Sequence, residues 1–254
     1  TVRFATQLGY SGFPEFHRAL EELVINKLNS IQRMEVTYGR VPQAEILDKV
    51  LQADIDKIKQ TMESLDHNAF DLAVETLLKA KTIYVIGIRS CAPLAHFLSF
   101  YLNLIFEDVR LIQTSSASEI FEQMIRIGEK DVIIGISFPR YSMRTLKAME
   151  FANNRNAKVI TLTDSIHSPM NLYSSCNLIA RSDMASIVDS LVAPLSVINA
   201  LVVALCMKKQ QDVVDTLESM EKIWDEYQVY SNDEINSVDD TVKLKFTDMG
   251  EEDE

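Results

Sequence analysis

Two short stretches of this 254-residue chain gather hydroxyl and guanidinium groups beside glycine or proline: Gly87-Ile88-Arg89-Ser90-Cys91-Ala92-Pro93 and Ser137-Phe138-Pro139-Arg140-Tyr141-Ser142-Met143. The first offers Gly87 at the end of an apolar run, a hydroxyl at a helix start, and Pro93 where a first helical turn accepts proline. Free N–H groups and the positive end of a helix dipole would meet an anion there. The second places Ser137, Arg140 and Ser142 within six residues before another helix, and a guanidinium can hold a phosphate in a two-pronged fork. Taken singly, a helix cap explains Ser142 and a surface charge explains Arg140. Two such loops in one chain point instead to an anion site. A nicotinamide dinucleotide is not expected, because no GxGxxG follows Gly87 and no acid follows the second strand, which ends in Gln113-Thr114-Ser115. A nucleoside triphosphate is not expected, since no GxxxxGK[ST] loop is present. One small phosphate group fits better.

The elements that must position these loops are legible from periodicity. Five short β-branched runs, 82–86, 109–112, 131–136, 158–162 and 177–180, alternate with helical segments at 92–105, 117–127, 142–154 and 187–207. That alternation predicts βαβ units and an α/β fold: a three-layer α/β/α sandwich around a five-stranded parallel sheet. Ligands bind such sheets at the carboxyl ends of the strands, where both loops fall. Ahead of the sheet, Leu47, Leu51, Ile55, Ile58, Met62 and Leu65 step by 4, 4, 3, 4 and 3, the mark of a long amphipathic helix. Its apolar seam serves either packing onto its own domain or the pairing of two subunits. Phe4 and Leu8 share one helical face before a break at Leu8-Gly9-Tyr10-Ser11-Gly12-Phe13-Pro14, so two short helices joined by a glycine turn are expected. Val213, Leu217, Met220, Trp224 and Tyr227 mark a last amphipathic helix.

Composition sets outer bounds. Lys and Arg number 25 against 37 Asp and Glu, a net charge of -12. Residues 211–254 hold 15 acids and 3 bases, so the first 210 residues net to zero and no strongly basic surface covers the chain as a whole. Cys91, Cys176 and Cys206 stand far apart in apolar surroundings and read as reduced thiols of a cytosolic protein. The four histidines, His17, His67, His96 and His167, share no ligand spacing, so neither metal nor cofactor is expected. The longest apolar stretch, Ile187 to Met207, carries Asp189, Ser190, Pro194, Ser196 and Asn199 and reads as a buried helix rather than a membrane span. No secretory leader is visible, the chain starts at Thr1 rather than Met, and a fragment of a longer cytoplasmic protein is expected.

Four segments together resemble the SIS (sugar isomerase) domain: Gly87 to Ser90, Ser115-Ser116-Ala117-Ser118-Glu119, Ile136 to Ser142, and Ala157 to Ser165. Residues 1–16, with Thr1-Val2-Arg3-Phe4-Ala5 and the turn through Pro14, resemble the recognition helix and following turn of RpiR-type transcriptional regulators. The resemblance implies a helix-turn-helix remnant over 1–30, linking and dimerising helices over 31–75, the SIS domain over 76–208, a helix over 209–230 and an acidic tail over 231–254. It also implies a phosphosugar effector. Ser90, Ser137, Arg140 and Ser142 would hold the phosphate beside Gly87 and Arg89, with Glu119 and Ser116 on sugar hydroxyls. Many SIS loops read Ser-x-Ser-Gly-x-Thr, whereas Pro139 and Arg140 stand here at the second serine and the glycine. Thr1, Arg3 and Arg18 would face DNA in the complete protein, as a homodimer or higher homo-oligomer. Glu15, Glu21, Glu22 and the acidic end oppose such binding, so this chain alone is expected not to shift operator DNA. The alternative implied by the same fold is a phosphosugar isomerase with Glu119 as acid and base; the regulator, without catalysis, is the reading expected here.

Overall fold

The computed structural model describes residues 2–39, 41–113, 116–182 and 189–227. Five helices precede the sheet: α1 (Val2–Gln7), α2 (Phe13–Lys27), α3 (Ser30–Tyr38), α4 (Ile46–Ser64) and α5 (His67–Leu78). There follow β1 (Ile83–Gly87), α6 (Ala92–Ile105), β2 (Val109–Leu111), α7 (Ala117–Gln123), β3 (Val132–Ile136), α8 (Met143–Asn154), β4 (Lys158–Thr163), β5 (Cys176–Ile179), α9 (Val192–Lys208) and α10 (Gln210–Glu226). The strands form one parallel sheet in the order β2-β1-β3-β4-β5. All five lie within a residue of the bounds expected from the sequence.

Alternation along each strand explains why both faces must be covered. Ile83 and Val85 of β1, Val132, Ile134 and Ile136 of β3, and Ile160 and Leu162 of β4 join one core with α5, α6 and α9. Tyr84 and Ile86, Ile133, and Val159 of the same strands join a second core with α7 and α8. The near-continuous apolar runs are what a doubly covered parallel sheet requires.

Three helices depart from the sequence reading. The helix expected at 117–127 ends at Gln123, because the chain turns ahead of Gly128, whose N–H donates to Asp131 Oδ2 at 2.8 Å. The helix expected from 187 starts at Val192, since Ser190 is drawn aside to Asp54 Oδ1 at 2.5 Å; positions 187 and 188 lie outside the described residues. The third is α5, which straddles the expected boundary at 76 and buries Ala73, Val74 and Leu77 in the first core.

Helix α4 is amphipathic as expected, but its polar face does the packing. Lys57 and Thr61 are buried, and Thr61 Oγ1 accepts the Arg181 N–H at 2.9 Å. Leu47, Leu51, Ile55, Ile58 and Met62 stay exposed, and only Leu65 packs against the core. At the amino-terminal end, α1 and α2 are joined through Gly9 at φ 89°, and Phe16 meets Phe4 and Tyr10 edge-on at 5.6 and 5.5 Å. The expected tail over 231–254 lies outside the described residues.

Gly135 of β3 faces α8 so closely that an added Cβ would stand 2.3 Å from Met149 Sδ. Since Met149 is fully buried, Gly135→Ala is expected to cost about 1–3 kcal/mol through overpacking, read as a lower urea midpoint at unchanged slope.

Candidate functional site

The strand order reverses between β1 and β3, so the crossover connections leave β1 and β3 in opposite directions and open a crevice at their carboxyl ends. Gly87 pairs with Ile136, which puts the two exits side by side at the same level. Gly87 is required sterically: a Cβ there would lie 2.6 Å from the Cys91 carbonyl oxygen, because the chain folds at once into a 3-10 turn over Arg89–Cys91. Helix α6 then begins with Pro93 in its first turn.

The β3 loop is braced from within. Ser137 is buried, and its Oγ accepts the Ser142 N–H at 3.0 Å. Ser142 in turn caps α8, its Oγ accepting the Thr145 N–H at 3.3 Å. Tyr141 donates to Asp164 Oδ1 at 2.8 Å, and Thr163 Oγ1 lies 3.2 Å from Asp164 Oδ1 and 2.9 Å from Ser168 Oγ, fastening the loop to the exit of β4. Burial first, and then the Asp164 carboxylate, push the Tyr141 phenol well above its ordinary range, so it remains a hydrogen-bond donor.

Cys91 ends the 3-10 turn of the first loop and meets the Phe138 backbone of the second. Burial pushes its thiol up to about 11, against the opposing pull of the Phe138 N–H and the Ser90 hydroxyl, and the Asp189 charge adds to the rise. A thiol so held is neutral near pH 7 and serves as packing.

Arg89 and Arg140 are both exposed and both adopt left-handed backbone conformations, at φ 59° and 64°. Asn156, at φ 63° in the turn before β4, is the third non-glycine residue of this kind among those described. Asparagine tolerates that region more readily than arginine. Two strained arginines thus flank one crevice, each on the loop after a central strand. At Arg140 the backbone keeps the conformation that a glycine would supply.

A cavity of about 170 Å³ opens beside the first loop, lined by Ile86, Gly87, Ile88, Arg89, Ala92, His96, Ile112, Gln113 and Ile120. Of the residues expected at a site, Gly87 and Arg89 line it. Ser137, Arg140 and Ser142 stand on the neighbouring loop, and Ser90 is exposed in the 3-10 turn of the first loop. Ser116 and Glu119 sit at the start of α7, outside the lining, where Ser116 Oγ and Ser118 Oγ share a hydrogen bond at 2.9 Å. Thr1 lies outside the described residues, as do the side chains of Arg3 and Arg18.

Sequence reasoning passed over His96, Gln113 and Gln123. In the sequence, His96 bears only on metal spacing and Gln113 only on the lack of an acid at the end of β2. One signal was available: Ala92 and His96 are four apart, hence on one face of the helix that starts at the first loop. Among the described residues, no three His, Cys, Asp or Glu side chains converge on a point where a metal could bind.

Comparison with known proteins agrees with this architecture. The SIS domain model matches residues 76–204. An HTH-type transcriptional regulator of Clostridium perfringens is 27% identical over 179 residues, covering 70% of this chain; the chain spans 63% of that relative's length. The sugar isomerase domain of an RpiR transcription factor from Sphaerobacter thermophilus superposes with a TM-score of 0.67 at 24% identity, over 70% of this chain and 99% of that one. The Vibrio vulnificus NanR protein, solved in complex with ManNAc-6P, gives a TM-score of 0.63 at 19% identity, over 91% of this chain and 81% of its own.

The strain at Arg140 makes a prediction independent of any ligand. Arg140→Gly removes a left-handed penalty of about 1–2 kcal/mol and adds roughly 0.5–1 kcal/mol of chain entropy, so stability should hold or rise slightly. Arg140→Val, with a branched Cβ, should lose about 1–3 kcal/mol. Paired urea titrations separate the two outcomes.

Proposed function

The chain belongs to the SIS domain family, and from that premise we propose that it is the effector-binding part of an RpiR-type transcriptional regulator in the cytoplasm, with a phosphosugar as effector. The observation that carries the reading is the pair of strained arginines, Arg89 and Arg140, at one crevice between β1 and β3. Backbone strain of this kind persists where the surrounding structure enforces it and gathers at ligand sites. Both arginines are exposed and so remain available to a phosphate.

The serines divide the work. Ser137 and Ser142 hold the loop that presents Arg140, each through a backbone N–H. Ser90 is exposed in the 3-10 turn of the first loop, and Ser116 and Glu119 stand at the start of α7. The regulator relative and the RpiR and NanR structures support the assignment, and the ligand named with NanR is itself a sugar phosphate. In the complete protein, DNA is the second partner, and effector binding changes DNA affinity.

The exposed apolar seam of α4 belongs to this reading. Its five large side chains, Leu47, Leu51, Ile55, Ile58 and Met62, cover one stripe of the helix, and a second copy of the chain meets it in the assembled regulator. Two recognition helices are needed for a two-fold operator. A charge in the seam should separate subunits: Ile55→Glu is expected to lower the mass seen by analytical ultracentrifugation, with the thermal transition kept.

A hexose or pentose phosphate should raise the stability of the chain by about 2.7 kcal/mol at 100 times its dissociation constant, and the dephosphorylated sugar should not. Arg140→Ala should weaken binding by about 10- to 150-fold, the loss of one charge-assisted contact of roughly 1.5–3 kcal/mol. Calorimetry showing equal affinity would remove Arg140 from the site. Glu119 stands outside the cavity lining, and NMR in deuterated water should show no exchange beside the carbonyl of the bound sugar. Exchange that vanishes in Glu119→Gln would establish the isomerase instead.

A further inference from the structure

The cavity beside the first loop runs from an apolar floor to a polar rim. Ile86, Ile112 and Ile120 are buried, while Ile88 and Ala92 are half-buried. Arg89, His96 and Gln113 are the exposed side chains of the lining. Four elements contribute, the exits of β1 and β2 and the helices α6 and α7, so the space is a recess rather than a flat wall. Its polar atoms are largely committed to one another. His96 Nδ1 lies 2.8 Å from the Ala92 carbonyl oxygen and His96 Nε2 lies 2.6 Å from the Gln113 side-chain amide, so both ring nitrogens are engaged. Gln123 takes up the main-chain N–H and carbonyl of Gln113, at 3.3 and 2.9 Å. The Ile112 N–H donates to the Val85 carbonyl, and the carbonyls of Ile88 and Arg89 accept from the N–H groups of Cys91 and Ala92.

A recess of this kind discriminates by polarity. A sugar hydroxyl pushed in among the isoleucines gives up its water and meets groups already paired, which costs affinity. An aliphatic end gains by leaving water. Every carbon of a plain hexose phosphate bears an oxygen. The sugar substituent that projects an apolar end from the ring is the acyl group of an N-acylated amino sugar. Size agrees: the space is about 170 Å³, and an aliphatic cavity of roughly 150 Å³ holds a benzene-sized molecule, so an acetyl group fits with room to spare. Arg89, exposed at the rim, meets the anionic part of the same molecule.

We infer that this recess is an acyl pocket and that the effector is an N-acylated amino-sugar phosphate, its acyl methyl group seated against Ile86, Ile112 and Ile120. This rests on the phosphosugar reading above and adds the class of sugar. The phosphate is held by the arginines of the two loops and the acyl group by aliphatic side chains, so the two contributions separate experimentally.

The test is calorimetric titration of the chain with two matched pairs: N-acetylglucosamine 6-phosphate against glucose 6-phosphate, and N-acetylmannosamine 6-phosphate against mannose 6-phosphate. In at least one pair the acetylated sugar should bind about 3- to 10-fold more tightly, the gain from burying one methyl group. Two variants then address the recess itself. Ala92→Leu fills it with three further carbons, and Ile88→Thr sets a hydroxyl in its wall at similar bulk. Each should bring the acetylated sugar down to the affinity of its hydroxylated counterpart, while the counterpart binds within about twofold of wild type. Thermal melts identify a variant that fails to fold, and the wild-type comparison stands without it. A wild-type chain that binds the hydroxylated sugars as tightly as the acetylated ones, a preference that survives in both folded variants, or losses shared equally by the two members of a pair would each overturn the acyl pocket while leaving the phosphosugar site intact. A wild-type chain that binds none of the four would overturn the site reading itself, and the pocket with it.

Discussion

Everything at the carboxyl edge of the sheet depends on the pairing of β1 with β3, two strands far apart in sequence that lie side by side because β2 is laid on the outer flank of β1. The crossover through α6 packs on one face of the sheet and α8 on the other. No connection therefore bridges the gap between the two exits, and the loops after Gly87 and Ile136 face each other across it. The register also fixes their height. A slip of one residue would turn Ile83 and Val85 from one core to the other, so the hydrophobic cores that flank the sheet hold the crevice in place.

Within that frame the two loops divide structure from chemistry in an unexpected way. Hydroxyls are the obvious phosphate ligands, yet Ser137 and Ser142 are committed to N–H groups of their own loop and helix. The cations are the exposed groups, and they occupy backbone conformations that favour glycine. Replacing a glycine by arginine at such a position brings a fixed positive charge to the crevice and costs backbone strain. The strain is tolerated because the loop is tied down on both sides, by the Ser137–Ser142 bond and by Tyr141 on Asp164.

Periodicity made the sheet legible. Five β-branched runs alternating with helices have few other solutions, and the strand bounds read from sequence fall within a residue of those observed. Loop chemistry gave Gly87, Arg89 and the Ser137–Ser142 segment, because glycine, proline and hydroxyls beside a strand end carry local meaning. His96, Gln113 and Gln123 carry none: they are separated by 17 and 10 residues, and only the return of β2 alongside β1 brings them together. The orientation of α4 was equally hidden. An apolar stripe tells which residues avoid water, and the outward face of this one follows from polar anchors, Asp54 to Ser190 and Thr61 to the Arg181 amide, that no pattern of hydrophobicity announces.

Those anchors also make the molecule continuous from the crevice to the helices ahead of the sheet. Asp189, next to Ser190, is close enough to Cys91 to raise its thiol, and Cys91 touches Phe138 of the second loop. Helix α4 grips the same segment through Asp54 and Thr61. The two loops thus share contacts with the segment that holds α4, whose other face carries the exposed seam. Contact alone does not transmit a signal; the ligand must bind one arrangement of these elements more tightly than another, and the shift it produces is limited by that difference. The anchors suit such a role because they are few and polar. An apolar contact between α4 and the β5–α9 connection would tolerate sliding, whereas each of these two hydrogen bonds has one fixed partner.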